Sequence, residues 1–239
     1  MNKEQEILFW SEEPYRETTF PPQPAIKQIP NWWKKRPRYQ ISNEISDLYV
    51  SNEGATDVAQ ISLKHCMPFL DSLSFGYHYV LPFDIEVKLV EGRPEISWDK
   101  KTVRPVELRG FLEVPVPHGH YPVHYIWDMR WGLKTPEGYS CLITHPLNRF
   151  DLPFITLSGI IDTDNWHSVN AISFFIREGF EGVIEQGTPL FQIVPFKRDD
   201  WLSKIDHSIQ PKGSWDLERK KTKIFGYYKK ERWARKNYK

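Results

Sequence analysis

Apolar residues occur along this chain in short runs, cut by Pro, Gly, Asn and Asp, most regularly between Lys134 and Trp201. Runs of that length, so punctuated, predict strands, because a helix needs a longer stretch with a 3.6-residue repeat. Comparable runs at 61–67, 76–81, 85–90 and 95–98 predict further strands, the last two joined across Glu91-Gly92-Arg93-Pro94 as a four-residue hairpin connection. Pro68 to Leu73 predicts one helical turn, and Trp201-Leu202 opens a second short helix where the strand pattern stops after Arg198. The fold class expected is all-β.

The first 45 residues read differently. Phe9, Trp10, Tyr15, Phe20, Trp32, Trp33 and Tyr39 alternate with Pro14, Pro21, Pro22, Pro24, Pro30 and Pro37. Each proline removes a backbone donor and restricts the residue before it, so neither a long helix nor a central strand is expected, and the rings should dock an extended arm. A polar stretch at 41–59 marks a boundary loop. The predicted organisation is an arm and loop at 1–59, a β domain at 60–205 and a tail at 206–239.

Composition adds two points. Aromatic residues make up 15% of the 239 residues and there are 19 prolines, so stacked rings and turns should be plentiful. The net charge of +1 conceals an asymmetry: from Lys212 onward there are 11 Lys/Arg against 3 Asp/Glu, leaving the remainder acidic. That tail interleaves Lys with Phe225, Tyr227 and Tyr228, a mixture that suits nucleic acid, but with the remainder acidic the favoured expectation is an arm laid on the acidic face of its own domain or of another subunit. The two cysteines, Cys66 and Cys141, are far apart and read as buried reduced thiols. Without an 18-residue apolar run or a signal-peptide core at the N-terminus, no membrane association is expected and the expected compartment is the cytoplasm.

Two groups of residues suggest chemistry. His118, His120 and His124 have the H-x-H-x3-H spacing that adjacent strands can gather round a metal, and the pattern resembles the cupin signature, which carries Glu where His124 stands. The other group is spread over 64–198. Gly159-Ile160-Ile161-Asp162-Thr163-Asp164 is followed by Gly187-Thr188-Pro189-Leu190-Phe191-Gln192-Ile193, with Pro146-Leu147-Asn148-Arg149 upstream and Gly76-Tyr77 and Phe83-Asp84-Ile85 before that. This succession resembles the trimeric dUTPase and dCTP deaminase superfamily.

The resemblance implies a β-clip fold, a distorted jelly-roll barrel, assembled as a homotrimer with nucleotide sites where subunits meet. It implies that Asp162 activates water for attack on a nucleotide phosphorus, that Asp84 holds hydrated Mg2+, that Asn148, Arg149, Asp164 and Gln192 grip the substrate, and that Trp166 stacks on sugar or base. Asp162 and Gln192 would then lie on neighbouring strands of one wall, facing one cleft. The phosphate loop lacks the family's Ser, Asn165-Trp166-His167 stands in place of Tyr-Arg-Gly, and the basic tail replaces a Gly-rich C-terminal motif. Taken without the family, Asp162 and Asp164 end a strand in Asx turns, Arg149 pairs with Asp151 to fix a corner, Gln192 sits between strands at an interface, and Asp84 is solvated. A second resemblance, in 148–154 and 195–198, is to an uncharacterised family of tailed-phage proteins, notably of cyanophages and marine phages. It implies either an enzyme of nucleotide metabolism in the host cytoplasm or a non-catalytic virion or assembly protein on the same scaffold.

Overall fold

The computed structural model describes residues 5–40, 60–99, 103–110, 114–167, 171–205 and 227–239. The expected boundary loop at 41–59 and the first part of the basic tail lie outside them. The chain forms two compact units that do not follow chain order. The larger holds Met1–Gln28, Leu73–Asp199 and Tyr238–Lys239; the smaller holds Ile29–Ser72 and Asp200–Asn237.

In chain order the strands are β1 (Leu8–Trp10), β2 (Gln23–Pro24), β3 (Tyr39–Gln40), β4 (Gln60–Ile61), β5 (Tyr77–Val80), β6 (Ile85–Val90), β7 (Arg93–Ser97) and β8 (Val106–Leu108). They continue with β9 (Tyr125–Trp127), β10 (Gly132–Lys134), β11 (Tyr139–Thr144), β12 (Phe154–Thr156), β13 (Gly159–Ile161), β14 (Ile172–Ile176), β15 (Gly182–Ile184) and β16 (Pro189–Lys197). The class is all-β, as the pattern of short runs predicts. In the larger unit the sheets are β13-β11-β16-β5-β2, β12-β14-β9-β8, β15-β6-β7 and the pair β1-β10, and none closes into a barrel among the described residues. Every strand pairing among the described residues is antiparallel.

Alternation explains the core. Cys141 and Ile143 of β11, Phe191 and Ile193 of β16, and Tyr77 and Tyr79 of β5 point to one side of the first sheet and are buried. They join Ile172, Phe174 and Ile176 of β14 in one cluster. At its centre Trp127 stacks on Phe174, ring centroids 3.5 Å apart, with Phe154 edge-on to both. The indole of Trp127 donates to Thr156 Oγ1 at 3.1 Å, so its polar edge is satisfied where its area is buried.

Five local expectations change, the first being that the run at 61–67 is strand only at Ile61 and continues as a 3-10 turn at Leu63–His65 and the start of a helix at Met67. The β6–β7 turn is two residues long, Glu91 and Gly92 both having positive φ, and β7 begins at Arg93. Pro94 is tolerated in a strand because β7 is the edge of its sheet. The single helical turn is a helix of two turns, α3 below, and no helix forms at Trp201-Leu202. The N-terminal residues do supply docked rings, but through β1 and β2, which pair with β10 and β5, and a short helix α1 (Tyr15–Thr18). Gly76 shows how the chain entering β5 can lie so close to β16: its φ is +71°, and a Cβ there would stand 2.2 Å from the Ile193 carbonyl oxygen.

The smaller unit contains α2 (Asn31–Lys35), the pair β3–β4, and most of α3 (Met67–Ser74). Trp33 is buried and stacks on Phe69 of α3 at 5.2 Å, with Trp32 edge-on to both. Lys64 Nζ donates to the carbonyls of Lys34 and Arg36 at 2.8 and 3.0 Å, closing the end of α2. From the far end of the sequence, Trp233 Nε1 and Lys236 Nζ both donate to Asp71 Oδ2 of α3, at 2.9 and 2.6 Å.

Candidate functional site

Strand β11 carries the candidate site on its outward face. It is flanked by β13 and β16, with Cys141 opposite Ile161 and Thr144 opposite Gln192. Paired residues share a face, and so do residues an even number apart, so Ser140, Thr144, Asp162 and Gln192 share the face opposite Cys141 and Ile143, where Asp162 alone of the four is exposed. The carboxylate and the amide are therefore on one face of one sheet. One strand separates them sideways, and four residues, about 14 Å, separate them lengthwise.

At one end Asp162 and Asp164 flank Thr163. The threonine is fully buried, bonded to Thr135 Oγ1 at 2.7 Å and donating to Cys141 Sγ at 3.4 Å. With Thr163 pegged inward, its acidic neighbours must turn out. The Asp162 carbonyl accepts from the amides of Asn165 and Trp166 at 3.0 and 2.8 Å, making a tight turn that leaves the Trp166 ring 65% exposed. Asp162 Oδ1 accepts from Ser140 Oγ at 2.7 Å, and its side chain is 63% exposed. Asp164 accepts from Gly138 N at 2.9 Å and is clamped through both oxygens by Arg198, which also reaches Asp162 at 3.4 Å. Hydrogen bonding from Arg198 holds the Asp164 carboxyl down at about 2. Arg198 is the residue that sequence reasoning missed; its signal was a guanidinium placed just past a strand whose partner, β11, begins beside the two aspartates.

At the other end lies a buried polar cluster. Gln192 has no solvent exposure: Oε1 accepts from Leu147 N at 2.9 Å and Nε2 donates to Phe75 O at 2.5 Å. Its amide ties the 146–149 turn to the 75–76 turn. Arg149 is buried and grips Asp151 bidentately, Nε to Oδ1 at 2.9 Å and Nη2 to Oδ2 at 3.0 Å. Asn148, at φ 59°, supplies the left-handed bend that lets Arg149 N reach back to Pro146 O at 3.1 Å. His145 accepts from Thr156 N through Nδ1 at 3.3 Å and donates through Nε2 to Arg149 O at 3.1 Å, which fixes its neutral tautomer. His78, opposite Gln192, is buried, and burial pushes its imidazolium down to about 4, with Arg149 and His145 pushing the same way.

Asp84 does not join either group. Its Oδ1 accepts from Gln186 N at 2.6 Å, capping the turn before β16, at the opposite end of that strand from Asp162. The two carboxylates are on the order of 25 Å apart along the strand. The three histidines do not gather: His118 is exposed, His120 Nδ1 donates to the His118 carbonyl at 3.0 Å, and His124 is buried against the Phe175 ring. The cupin-like ligand set is thus not formed, because His118 and His120 stay at the surface while His124 is turned into the core. Among the described residues no group of three or more His, Cys, Asp or Glu is placed to hold a metal ion. Cys141 is a structural thiol, raised by burial to about 11.

No protein-family model matches this chain, and no curated protein matches it. The reading of the site rests on its geometry.

Mg2+ asks for carboxylate oxygens beside substrate phosphates. Within one protomer Asp84 is distant from Asp162, and Asp164 is already neutralised by Arg198. These residues do not fit a magnesium site within a single chain. No described helix is long and apolar enough to cross a membrane.

Proposed function

We propose that this protein is a non-catalytic scaffold: a homotrimeric virion or assembly component of a tailed phage, built on a dUTPase-like β plan whose phosphate grip has been turned inward to hold the fold together. The observation that carries this reading is the amide of Gln192, which is fully buried with both of its polar atoms spent on backbone groups of the same chain. Arg149 supports it, its guanidinium being matched to Asp151 and not offered to a ligand. A group that must bind triphosphate needs free donors facing the cleft. Calorimetric titration with a panel of dNTPs and NTPs, with and without Mg2+, should give no heat, and light scattering should give three copies per particle. Micromolar binding of any nucleotide would refute the proposal.

One observation favours a second reading, a dUTPase-like nucleotide-binding protein with Asp162 as its water-activating base. Asp162 is exposed, shares a face with Gln192 and stands beside an exposed ring, Trp166. On that reading the site is completed by neighbouring copies, which would also have to bring Asp84 and Mg2+ to it. Nucleotide binding would then be lost in Asp162→Asn and the trimer retained.

A further inference from the structure

The smaller unit has a surface that the scaffold reading does not use. Its described residues include eleven Lys/Arg against three Asp/Glu. The cations come from two segments nearly 200 residues apart in sequence, and helix α3 brings them together. Trp33 stacks on Phe69, fixing Lys34, Lys35, Arg36 and Arg38 on one flank; Trp233 and Lys236 bond to Asp71, fixing Lys229, Lys230 and Arg235 on the other. Phe69 and Asp71 are about 200° apart around the helix, so the segments flank a body about 10–12 Å wide. Among the described residues, Lys34, Lys35, Arg38, Lys229, Lys230 and Arg235 form no ion pair.

Trp32 and Tyr228 stand close in sequence to these charges, and Trp201 belongs to the same unit. Trp32 is 36%, Tyr228 42% and Trp201 90% exposed, although each is an aromatic side chain that gains by burial. An acidic protein face would complement the lysines and arginines and leave those rings without a partner. Unpaired bases complement both, because every base offers a π-face and every nucleotide a phosphate. We propose that the smaller unit binds single-stranded nucleic acid, its phosphates running between the two basic flanks of α3 and its bases stacking on Trp201, Tyr228 and Trp32. The width between flanks is covered by three to four nucleotides at about 3.4 Å each. This surface is independent of the outward face of β11, so the failure of either proposal leaves the other standing.

The test uses the whole chain and fluorescence anisotropy with labelled dT20 and a duplex of equal length. The expected result is binding to dT20 at least tenfold tighter than to the duplex. With the three to four phosphates of that span engaged, affinity should fall about 20- to 50-fold between 50 and 200 mM salt. Lys229→Ala with Lys230→Ala should lower the log–log salt slope by about 1.4. Trp201→Ala, at a side chain almost wholly in solvent, should weaken dT20 about tenfold without changing that slope or the melting temperature. Absence of binding at 50 mM salt overturns the proposal, as do equal affinity for duplex and a response to neither variant. Self-association abolished by the same lysine substitutions would assign the surface to the acidic unit of another copy, and the proposal would fall.

Discussion

Replacing Gln192 by Ala separates the two readings of the β11 face. The substitution leaves the Leu147 amide and the Phe75 carbonyl without their partner, at a site that is fully buried at Gln192 and half-buried at the two backbone residues. Each unpaired buried group costs about 1–3 kcal/mol, and water entering the vacated space recovers part of that, so a net loss of about 3 kcal/mol is expected. For a chain of this size that is roughly 6–12 °C in melting temperature. Differential scanning calorimetry of the wild type and of Gln192→Ala measures it directly. If the amide is a structural tie, stability falls by that amount and the protein binds nucleotides no worse than before. A melting temperature that moves by less than about 2 °C, together with loss of a nucleotide that the wild type binds, would show that the side chain serves a ligand.

Three further outcomes follow from the same geometry. His78 is held neutral, with its folded value near 4 below the ordinary imidazole value near 6.5; stability present above pH 6.5 should therefore be lost as the pH falls toward 4, with a slope of up to about 1.4 kcal/mol per unit, and chemical denaturation of His78→Phe should lack that slope. Asp164, depressed to about 2 by Arg198, contributes stability above the ordinary carboxyl range that is lost only as the pH falls through about 2; carboxyl NMR should find its titration near 2 in the wild type and back near the usual value in Arg198→Ala. Gly76→Ala forces a Cβ to within 2.2 Å of the Ile193 carbonyl at a left-handed position, so thermal melting should show a loss of several kcal/mol, more than most single substitutions produce.

Much of the strand framework was legible, because β11, β14 and β16 are apolar runs bounded by turn residues, while which strands pair was not. The Arg149–Asp151 pair was legible too, since two residues of opposite charge at a turn have little choice but to meet. What the sequence did not display was which polar residues would be spent inside. Gln192 in a run of apolar residues looks the same whether it faces a ligand or a backbone amide; only the return of the 146–149 turn over β16 decides. Arg198 was overlooked for a related reason, as its partners Asp162 and Asp164 are over thirty residues away and meet it only through β11. The composition of the smaller unit was hidden by chain order: its basic flanks belong to opposite ends of the sequence and share a helix that neither contains.

Thr163 has a consequence for how the surface beside it can change. Its hydroxyl locks the phase of the loop, and a slip of one position would drive a carboxylate into the core and expel the threonine. A saturation library should therefore tolerate wide variety at 162 and 166, keep Asp at 164 for its bonds to Arg198 and Gly138, and accept almost nothing but Thr, or Ser, at 163. The chemistry displayed at this rim is free to drift because one small buried alcohol keeps time for it.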